Sequence, residues 1–186
     1  MKRGFSLIET IAVIGVTVMA LIALTNLFLI FNTTYGYQQA VVATAGSAGA
    51  AMNALGAAVL PADRVLASRD FSGTAYASAT TTLVLELPAA DSSGNMLPGA
   101  YDYIVFYLSD GTLYRLIEAA PGSVRVSNTK QLSSAIGSLA FTYDDSDFAR
   151  ITKVSADLTT RAFYKQQAVR SHLTGQWYLR NLQISL

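Results

Sequence analysis

The residues Thr10–Phe31 form a run of 22 residues that contains no charged side chain and no proline. A helix needs roughly 20 consecutive apolar residues to cross a bilayer, so the run predicts one transmembrane helix. Lys2 and Arg3 precede the run, and basic residues favour the cytoplasmic side of a membrane. We therefore expect a single-pass protein of the cytoplasmic membrane with its N-terminus inside and its globular part outside.

Glu9 is unexpected at the start of such a run, because an ionised carboxylate in hydrocarbon is costly unless a partner compensates it. A secretory signal also differs from this segment, since it has a shorter apolar core followed by a cleavage site. Here the small residue Gly4 comes before the apolar run. Cleavage after Gly4 would remove both bases and keep the helix.

Residues 2–9 (KRGFSLIE), followed by the long apolar helix, resemble the N-terminus of the type IV prepilins, a family that includes the pseudopilins of type II secretion. The resemblance covers the leader and the apolar helix tightly. It implies that a membrane peptidase cleaves after Gly4 and methylates the new N-terminal residue, Phe5. Glu9 would then be the fifth residue of the mature chain.

Physical chemistry suggests why an acid is kept at this position. The free amine of Phe5 and the Glu9 carboxylate would lie four residues apart, near one face of the helix. If neighbouring helices pack with an axial offset, the amine of one subunit can meet Glu9 of the next and neutralise both charges. We predict an assembly role for Glu9. The alternative is a plain signal anchor in which Glu9 interacts with its own helix N-terminus, worth about 0.3–1 kcal/mol.

The helix is expected to continue beyond the membrane. No charged residue lies between Glu9 and Asp63, and the first proline is Pro61. The second half carries a stripe typical of one buried helix face, formed by Val41, Ala45, Ala48, Met52, Leu55 and Val59. The small residues outside this stripe, where neighbouring helices can approach closely, are Ala43, Gly46, Ala50, Asn53 and Ala57. A break near Gly36 is the alternative, because glycine is unfavourable in helices.

Beyond Pro61 the pattern indicates six or seven antiparallel strands. The clearest feature is a hairpin of Tyr103–Leu108 and Thr112–Ile117 around the favoured turn pair Asp110-Gly111. The other expected strands are Thr81–Leu87, Ser123–Ser127, Ser138–Tyr143, Ile151–Thr159 and Tyr178–Leu186. Residues 88–99 are expected to form a long surface loop, and Lys130–Ala135 a helical turn.

These elements together predict an α+β fold in which a long N-terminal helix packs on an antiparallel β-sheet domain, similar to the pilin architecture. The predicted divisions are a leader (1–4), the membrane half of the helix (5–31), its extracytoplasmic half (32–60) and a β-rich globular domain (61–186).

No catalytic constellation is evident, and we expect no enzymatic activity and no cofactor. The single histidine, His172, lies in none of the nucleophile or metal motifs. The chain has no cysteine, which excludes disulfides and thiolate sites. Asp144, Asp145 and Asp147 offer oxygen ligands of the kind that calcium prefers, but their spacing lacks the EF-hand pattern, so an exposed turn is the favoured interpretation.

The C-terminal part of the chain is basic. After Phe148 a single acid, Asp157, accompanies six bases, which are Arg150, Lys153, Arg161, Lys165, Arg170 and Arg180. A nucleic-acid groove is one interpretation. Contact with acidic neighbouring subunits is favoured, because residues 63–147 contain ten acids and five bases.

The leading hypothesis is a structural subunit of a type IV pilus-like or pseudopilus filament. The resemblance implies as partners a prepilin peptidase, an assembly ATPase, a platform membrane protein and other pilin or pseudopilin subunits. Two alternatives stay open: a filament-borne protein that binds DNA or a surface, and a membrane-anchored surface protein that does not assemble.

Overall fold

The computed structural model describes residues 6–180. The chain divides into two compact units, Met1–Ala40 and Val41–Leu186, and their boundary lies inside one long helix, α1 (Leu7–Val59). In the second unit this helix packs on antiparallel β-sheets. The predicted α+β fold, with one long apolar N-terminal helix, is confirmed.

Local interactions explain where α1 begins and ends. Ser6 precedes the first helical residue, and the Glu9 amide donates a hydrogen bond to the Ser6 hydroxyl at 3.3 Å. At the other end, the Leu60 amide donates to the Gly56 carbonyl at 3.0 Å. Pro61 follows, and its ring disfavours helical backbone at the preceding residue. The helix is unbroken at Gly36, so the alternative with a break there is wrong.

The described residues form ten strands in three sheets, more than the six or seven that the sequence pattern indicated. The strands are β1 (Arg64–Val65), β2 (Ser68–Phe71), β3 (Thr74–Ala77), β4 (Thr82–Ala90), β5 (Met96–Ser109), β6 (Thr112–Glu118), β7 (Asn128–Ser133), β8 (Ile136–Tyr143), β9 (Lys153–Tyr164) and β10 (Gln167–Tyr178). Neighbouring strands follow the order β1-β4-β5-β6-β7 in the largest sheet and β10-β9-β8 in the second. Strands β2 and β3 form a separate hairpin. Every strand pair is antiparallel.

The second half of α1 and the two larger sheets share one hydrophobic core. The buried side chains of the predicted helix stripe are Ala48, Met52, Leu55 and Val59. They join leucines of β4, Phe106 of β5 and Leu158 of β9. All five small residues predicted to lie on the outer helix surface are exposed.

The predicted stripe is wrong at its N-terminal end. Val41 and Ala45 are exposed, and Thr44 is buried instead. The alternating steps of four and three have a period of about 3.5 residues, whereas a straight helix has about 3.6, so such a stripe drifts around the helix. The Thr160 hydroxyl donates to the Thr44 carbonyl at 2.9 Å, which fixes the face of the helix that β9 approaches.

The long surface loop predicted at residues 88–99 is wrong over most of its length. Strand β4 continues to Ala90, and its partner β5 already begins at Met96, with these two residues paired. Only residues 91–95 form the turn, where the Asp91 carboxylate accepts hydrogen bonds from the amides of Ser93 and Asn95. A register shift between Pro88 and Ala90 accommodates the proline, so strand pairing overrides the turn-forming residues.

Residues 123–133 also differ from prediction. Ser123–Ser127 is a loop, and the predicted helical turn at Lys130–Ala135 is replaced by β7 and a short connection. The loop is held by Asp102, which is 0% exposed and accepts hydrogen bonds from the Ser123 hydroxyl and the Arg125 guanidinium at 2.7 and 2.6 Å. A buried carboxylate requires such partners. Because Ser123 and Arg125 turn toward Asp102, this segment does not pair as a strand.

The hairpins of β5–β6 and of the β8–β9 region follow the sequence pattern. Ser109 pairs with Thr112 across Asp110-Gly111, and both turn residues have positive φ, as predicted. The strands expected at Ser138–Tyr143 and Ile151–Thr159 are present as β8 and β9. The expected last strand, Tyr178–Leu186, is wrong in its described part, because Tyr178 ends β10 and neither Leu179 nor Arg180 is in a strand. Residues 181–186 lie outside the described residues.

Two glycines make room for the indole ring of Trp177. A Cβ atom built at Gly56 would lie 2.6 Å from Trp177 Nε1, and one built at Gly175 would lie 2.7 Å from the same ring. The indole therefore lies directly against the helix backbone. Gly46, by contrast, has open space where a Cβ would be.

This difference predicts opposite effects for two alanine substitutions in one helix. Gly56→Ala should lower the free energy of unfolding by about 1–3 kcal/mol, because the new methyl group overlaps the indole. Gly46→Ala should raise it by up to about 1 kcal/mol, because alanine favours the helix and meets no neighbour. Chemical unfolding of the full chain in detergent measures both. Equal effects of the two substitutions would contradict the packing of Trp177 on Gly56.

Candidate functional site

The N-terminal part of α1 is the first candidate site. Residues 7–31 are exposed without exception, and the large apolar side chains at its start are among the most exposed, with Leu7 at 82% and Ile8 at 78%. Within residues 6–180, α1 is the one helix that is long and apolar enough to cross a membrane. It fits a transmembrane helix and is compatible with a single-pass membrane anchor.

The hydroxyl groups of this segment are satisfied inside the helix. Thr17 donates to the Val13 carbonyl and Thr25 to the Leu21 carbonyl, both at 2.8 Å. In a bilayer this internal bonding removes the need for water at these side chains. The segment can therefore contact lipid without leaving a threonine hydroxyl unpaired at these positions.

Glu9 occupies the third position of the helix, three residues after the capping residue Ser6. Ser-x-x-Glu is the sequence signature of a capping box, in which the serine hydroxyl and the glutamate side chain serve backbone amides at the helix start. The sequence analysis missed this signal. The Glu9 amide makes the first half of this motif by donating to the Ser6 hydroxyl. The signature predicts the second half, a local bond from the Glu9 side chain that needs no partner subunit, so any test of an assembly role must separate the two.

The predicted processing residues, Gly4 and Phe5, lie outside the described residues. The distance between the Phe5 amine and the Glu9 carboxylate is therefore not part of the structure, and their pairing stays a prediction. The structure does place Glu9 at the exposed start of the helix.

The acidic loop consists of Asp144, Asp145 and Asp147, and each carboxylate serves nearby backbone amides. Asp144 accepts hydrogen bonds from the amides of Thr152 and Lys153, both at 3.1 Å, and from the Thr152 hydroxyl. Asp147 caps the 3₁₀ turn Phe148–Arg150. Among residues 6–180 no group of three or more acidic, histidine or cysteine side chains is placed to hold a metal ion.

Asp144 closes the acidic loop. Slight burial tends to raise the pKa of its carboxyl group, but the hydrogen bonds from Thr152 and Lys153 outweigh this effect and lower the pKa below its ordinary value. The ionised form is thus the one that the fold stabilises.

The six C-terminal bases do not form one patch. Arg161, Lys165 and Arg170 lie in the β9–β10 hairpin near its turn. The other three are Arg150, Lys153 and Arg180, and they lie toward the opposite end of β9, where the Arg180 amide donates to the Leu60 carbonyl. One continuous nucleic-acid groove along all six bases is not supported by this distribution.

His172 and Asp157 lie between these two groups of bases, on the exposed face of the β9–β10 hairpin. His172 Nε2 is 2.9 Å from Asp157 Oδ2, and both side chains are at least half exposed. An exposed pair of this kind contributes little to stability. It does bring the single acid of the C-terminal part into contact with a side chain that is cationic when protonated.

An open groove of about 350 Å³ runs between α1 and β10. Its lining includes Asn53 and Ala57, which belong to the exposed small-residue face of the helix, and Leu173 and Trp177 from the strand. No strand pairs with the outer edge of β10 in the described part of the chain. The groove therefore joins the exposed small residues of the helix to the apolar side chains of Leu173 and Trp177 on β10.

No protein-family model matches this chain, and no curated protein matches it. The family resemblance in residues 2–9 therefore stays a prediction that rests on the motif itself.

The acidic loop gives a test that separates loop closure from calcium binding. Asp144→Asn should lower the free energy of unfolding at pH 7 by about 1 kcal/mol, because ionised hydrogen-bond acceptors are lost. Since the folded-state pKa is lowered, the stabilisation by Asp144 is present above its unfolded-state pKa and is lost as the pH falls through its folded-state value. The difference between wild type and variant should therefore shrink on acidification.

Thermal unfolding of the full chain in detergent between pH 3 and 7 measures this difference, with Asp145→Asn as a control that removes a carboxylate with fewer bonds. Added calcium should leave the melting temperature unchanged. A calcium-dependent rise that Asp144→Asn abolishes would identify a metal site instead.

Proposed function

We propose that this chain is a structural subunit of a type IV pilus-like or type II secretion pseudopilus filament. In this proposal it is processed after Gly4, held in the cytoplasmic membrane by α1 and assembled through the same helix. The observation that carries the proposal is a fully exposed apolar helix half that starts with a single acid, Glu9.

The exposed apolar half supports two successive environments. Before assembly, lipid covers side chains such as Leu7 and Ile8, which the described fold leaves bare. After assembly, helices of neighbouring subunits cover them. Both environments exclude water, so transfer from one to the other needs little change in the hydrophobic free energy.

Glu9 supplies the register in this proposal. A carboxylate at the start of the apolar segment is tolerated in a low-dielectric bundle when an amine of the next subunit lies beside it. The amine proposed here is the one that processing creates at Phe5. Because the pair forms at one axial offset between helices, it sets how far neighbouring subunits are displaced.

The second half of α1 supports close packing between subunits. One face is buried against the sheets, while Ala43, Gly46 and Ala50 remain exposed on the other. Small residues allow helix backbones to approach closely. This surface continues into the groove beside Asn53 and Ala57, so the outer helix face offers neighbouring subunits a contact without large side chains.

The proposal implies a set of partners. A prepilin peptidase would process the chain, an assembly ATPase and a platform membrane protein would drive its insertion into the filament, and other pilin or pseudopilin subunits would surround it. The globular domain would lie outside the cytoplasm. Nucleic acid is the less favoured ligand, since the six C-terminal bases are divided between two places.

Substitution of Glu9 tests the assembly role and separates it from helix capping. Glu9→Gln keeps a side chain that can complete the capping box but removes the charge. We expect Glu9→Gln and Glu9→Ala to insert into the membrane normally and both to enter sheared filaments at least about tenfold less than wild type, because each leaves a buried amine unpaired. Immunoblots of filament and membrane fractions measure the ratio.

Normal incorporation of Glu9→Gln together with poor incorporation of Glu9→Ala would show that Glu9 acts only as a cap. Normal incorporation of both variants would overturn the proposed register role. Thr10→Ala serves as a control, because it alters a neighbouring polar residue on the same helix and changes no charge.

A separate experiment tests the proposed cleavage after Gly4. Gly4→Val should block cleavage, since the proposed peptidase site requires a small residue there, and the precursor should stay in the membrane with Lys2 and Arg3 attached. Mass spectrometry of the wild-type chain from native membranes should give an N-terminal methylated Phe5. A chain that retains residues 1–4 in assembled material would contradict the proposal.

A further inference from the structure

The end of the β9–β10 hairpin extends beyond the rest of its sheet. Strands β9 and β10 pair along their whole length, as far as Tyr164 with Gln167. Strand β8 pairs with β9 only as far as Thr160, whose partner is Ile136. Residues 161–170 therefore form a two-stranded extension, which we call the basic ribbon. Beyond the Arg161 amide, which donates to the Ala135 carbonyl, no third strand of the described residues pairs with it.

The basic ribbon carries three cations on its exposed surface. Arg161 and Arg170 are directly opposite each other in the register, and Lys165 lies in the turn. None of the three forms an ion pair within residues 6–180. Like charges directly opposite in a sheet are destabilising, and no carboxylate of the described residues offsets the repulsion between Arg161 and Arg170 by an ion pair.

An exposed aromatic side chain accompanies these cations. The Arg161 guanidinium lies 4.9 Å from the centre of the Phe163 ring, and Phe163 is 64% exposed. Cations beside an apolar ring are the combination that binds at the interface between water and an anionic bilayer.

The turn residues also point to a role other than turn formation. Lys165 and Gln166 have φ angles of 45° and 67°, in the left-handed region that two-residue hairpins usually fill with Asn-Gly. Side chains other than glycine, asparagine and aspartate are disfavoured there. The turn therefore presents a lysine at the tip of the ribbon where backbone geometry favours another residue.

Three contacts locate the ribbon within the second unit. The Thr160 hydroxyl bonds to the Thr44 carbonyl, Trp177 packs on Gly56, and the Arg180 amide bonds to Leu60. Strand β10 thus follows the helix from its entry into the unit, near Val41, toward its end. The basic ribbon lies at the entry end.

The chain itself limits how far this entry end lies from the membrane. Phe31, the last residue of the uncharged apolar run, is separated from Val41 by the nine residues 32–40. Even a fully extended chain of this length spans at most about 35 Å. If the proposed anchoring holds the apolar run in a bilayer, this connection limits the entry end of the unit to within about 35 Å of the end of that run.

We propose that the basic ribbon docks on the anionic phospholipid surface of the membrane that holds α1. This inference rests on the membrane anchoring in the proposed function and does not require filament assembly. Lipid is favoured over a soluble polyanion because the tether holds lipid headgroups within reach. Asp110, in the β5–β6 turn beside Ile136, is an acid at the same end, and three cations against one acid leave an excess of two positive charges.

Each lysine or arginine near an anionic bilayer strengthens binding by about fivefold. Removing both arginines of the ribbon should therefore weaken docking by about 25-fold.

The experiment uses the full chain in nanodiscs, either of phosphatidylcholine or of phosphatidylcholine with phosphatidylglycerol. The sequence contains no cysteine, so Ala168→Cys introduces a unique site for a fluorophore. Ala168 lies on the exposed face of the ribbon. A nitroxide on the lipid headgroup quenches the fluorophore when the ribbon docks. Ser92→Cys, in the turn at the opposite end of β5, carries the control label.

Quenching at Ala168→Cys should rise several-fold in discs with phosphatidylglycerol, while the label at Ser92 should not respond. Arg161→Gln with Arg170→Gln should abolish the rise. Arg150→Gln with Lys153→Gln, which removes the same charge from the other end of β9, should retain it. Lys165→Asn with Gln166→Gly keeps a favoured hairpin turn and should still reduce docking about fivefold, which separates charge from hairpin stability.

Equal quenching at Ala168 in both kinds of disc, from a chain that has inserted, would overturn the docking and leave the anchoring intact. A chain that inserts into neither disc would overturn the membrane anchoring and the docking together. If duplex DNA at micromolar concentration displaces the ribbon from lipid and binds it more tightly, nucleic acid is the occupant and the lipid proposal is wrong.

Discussion

The exposed apolar half of α1 is the constraint on which the rest of the molecule depends. Sixteen large apolar side chains between Leu7 and Phe31 are exposed. At roughly 1.5 kcal/mol or more for each buried side chain, covering them involves more than about 20 kcal/mol, which exceeds the usual net stability of a whole domain. Exposure of this segment to water is therefore strongly unfavourable, and either lipid or other apolar helices must cover it.

The same helix meets a different partner after Val41. There the β-sheets of the same chain bury the helix, because Ala48, Met52 and Leu55 pack against the two larger sheets. One continuous secondary structure thus serves two environments, and only the side chains change. The absence of charge from Thr10 to Ala62 permits this change, since a charged residue would be costly both in the buried stripe and in an apolar half that is covered by lipid or by other helices.

Glu9 shows how two requirements, one local and one long-range, can fall on the same position. Its position after Ser6 suits a capping box, which needs only a side chain able to accept a hydrogen bond. The proposed contact with a neighbouring amine needs the charge as well. Glutamine would meet the first requirement and not the second, so the two roles make different demands on the same position.

Much of the fold follows from local sequence signals. The hairpin around Asp110-Gly111 was predictable because that pair favours the positive φ angles of a tight turn. The Ser72-Gly73 turn between β2 and β3 carries a similar signal, and both of its residues have positive φ. By contrast, the turn at Lys165-Gln166 has no such signal, and only the pairing of β9 with β10 along twelve residues explains why it forms.

The basic ribbon was less predictable than the apolar helix, because the ribbon depends on strand register. Arg161 and Arg170 are nine positions apart in sequence, and they become neighbours only because a two-residue turn sets the pairing of β9 and β10. A shift of one residue would move Arg170 to the opposite face of the hairpin. The formal net charge of +1 is a sum over all positions and carries no information about this arrangement. A chain with almost no net charge can therefore present a local excess of cations, and the backbone that turns at Lys165 decides where that excess lies.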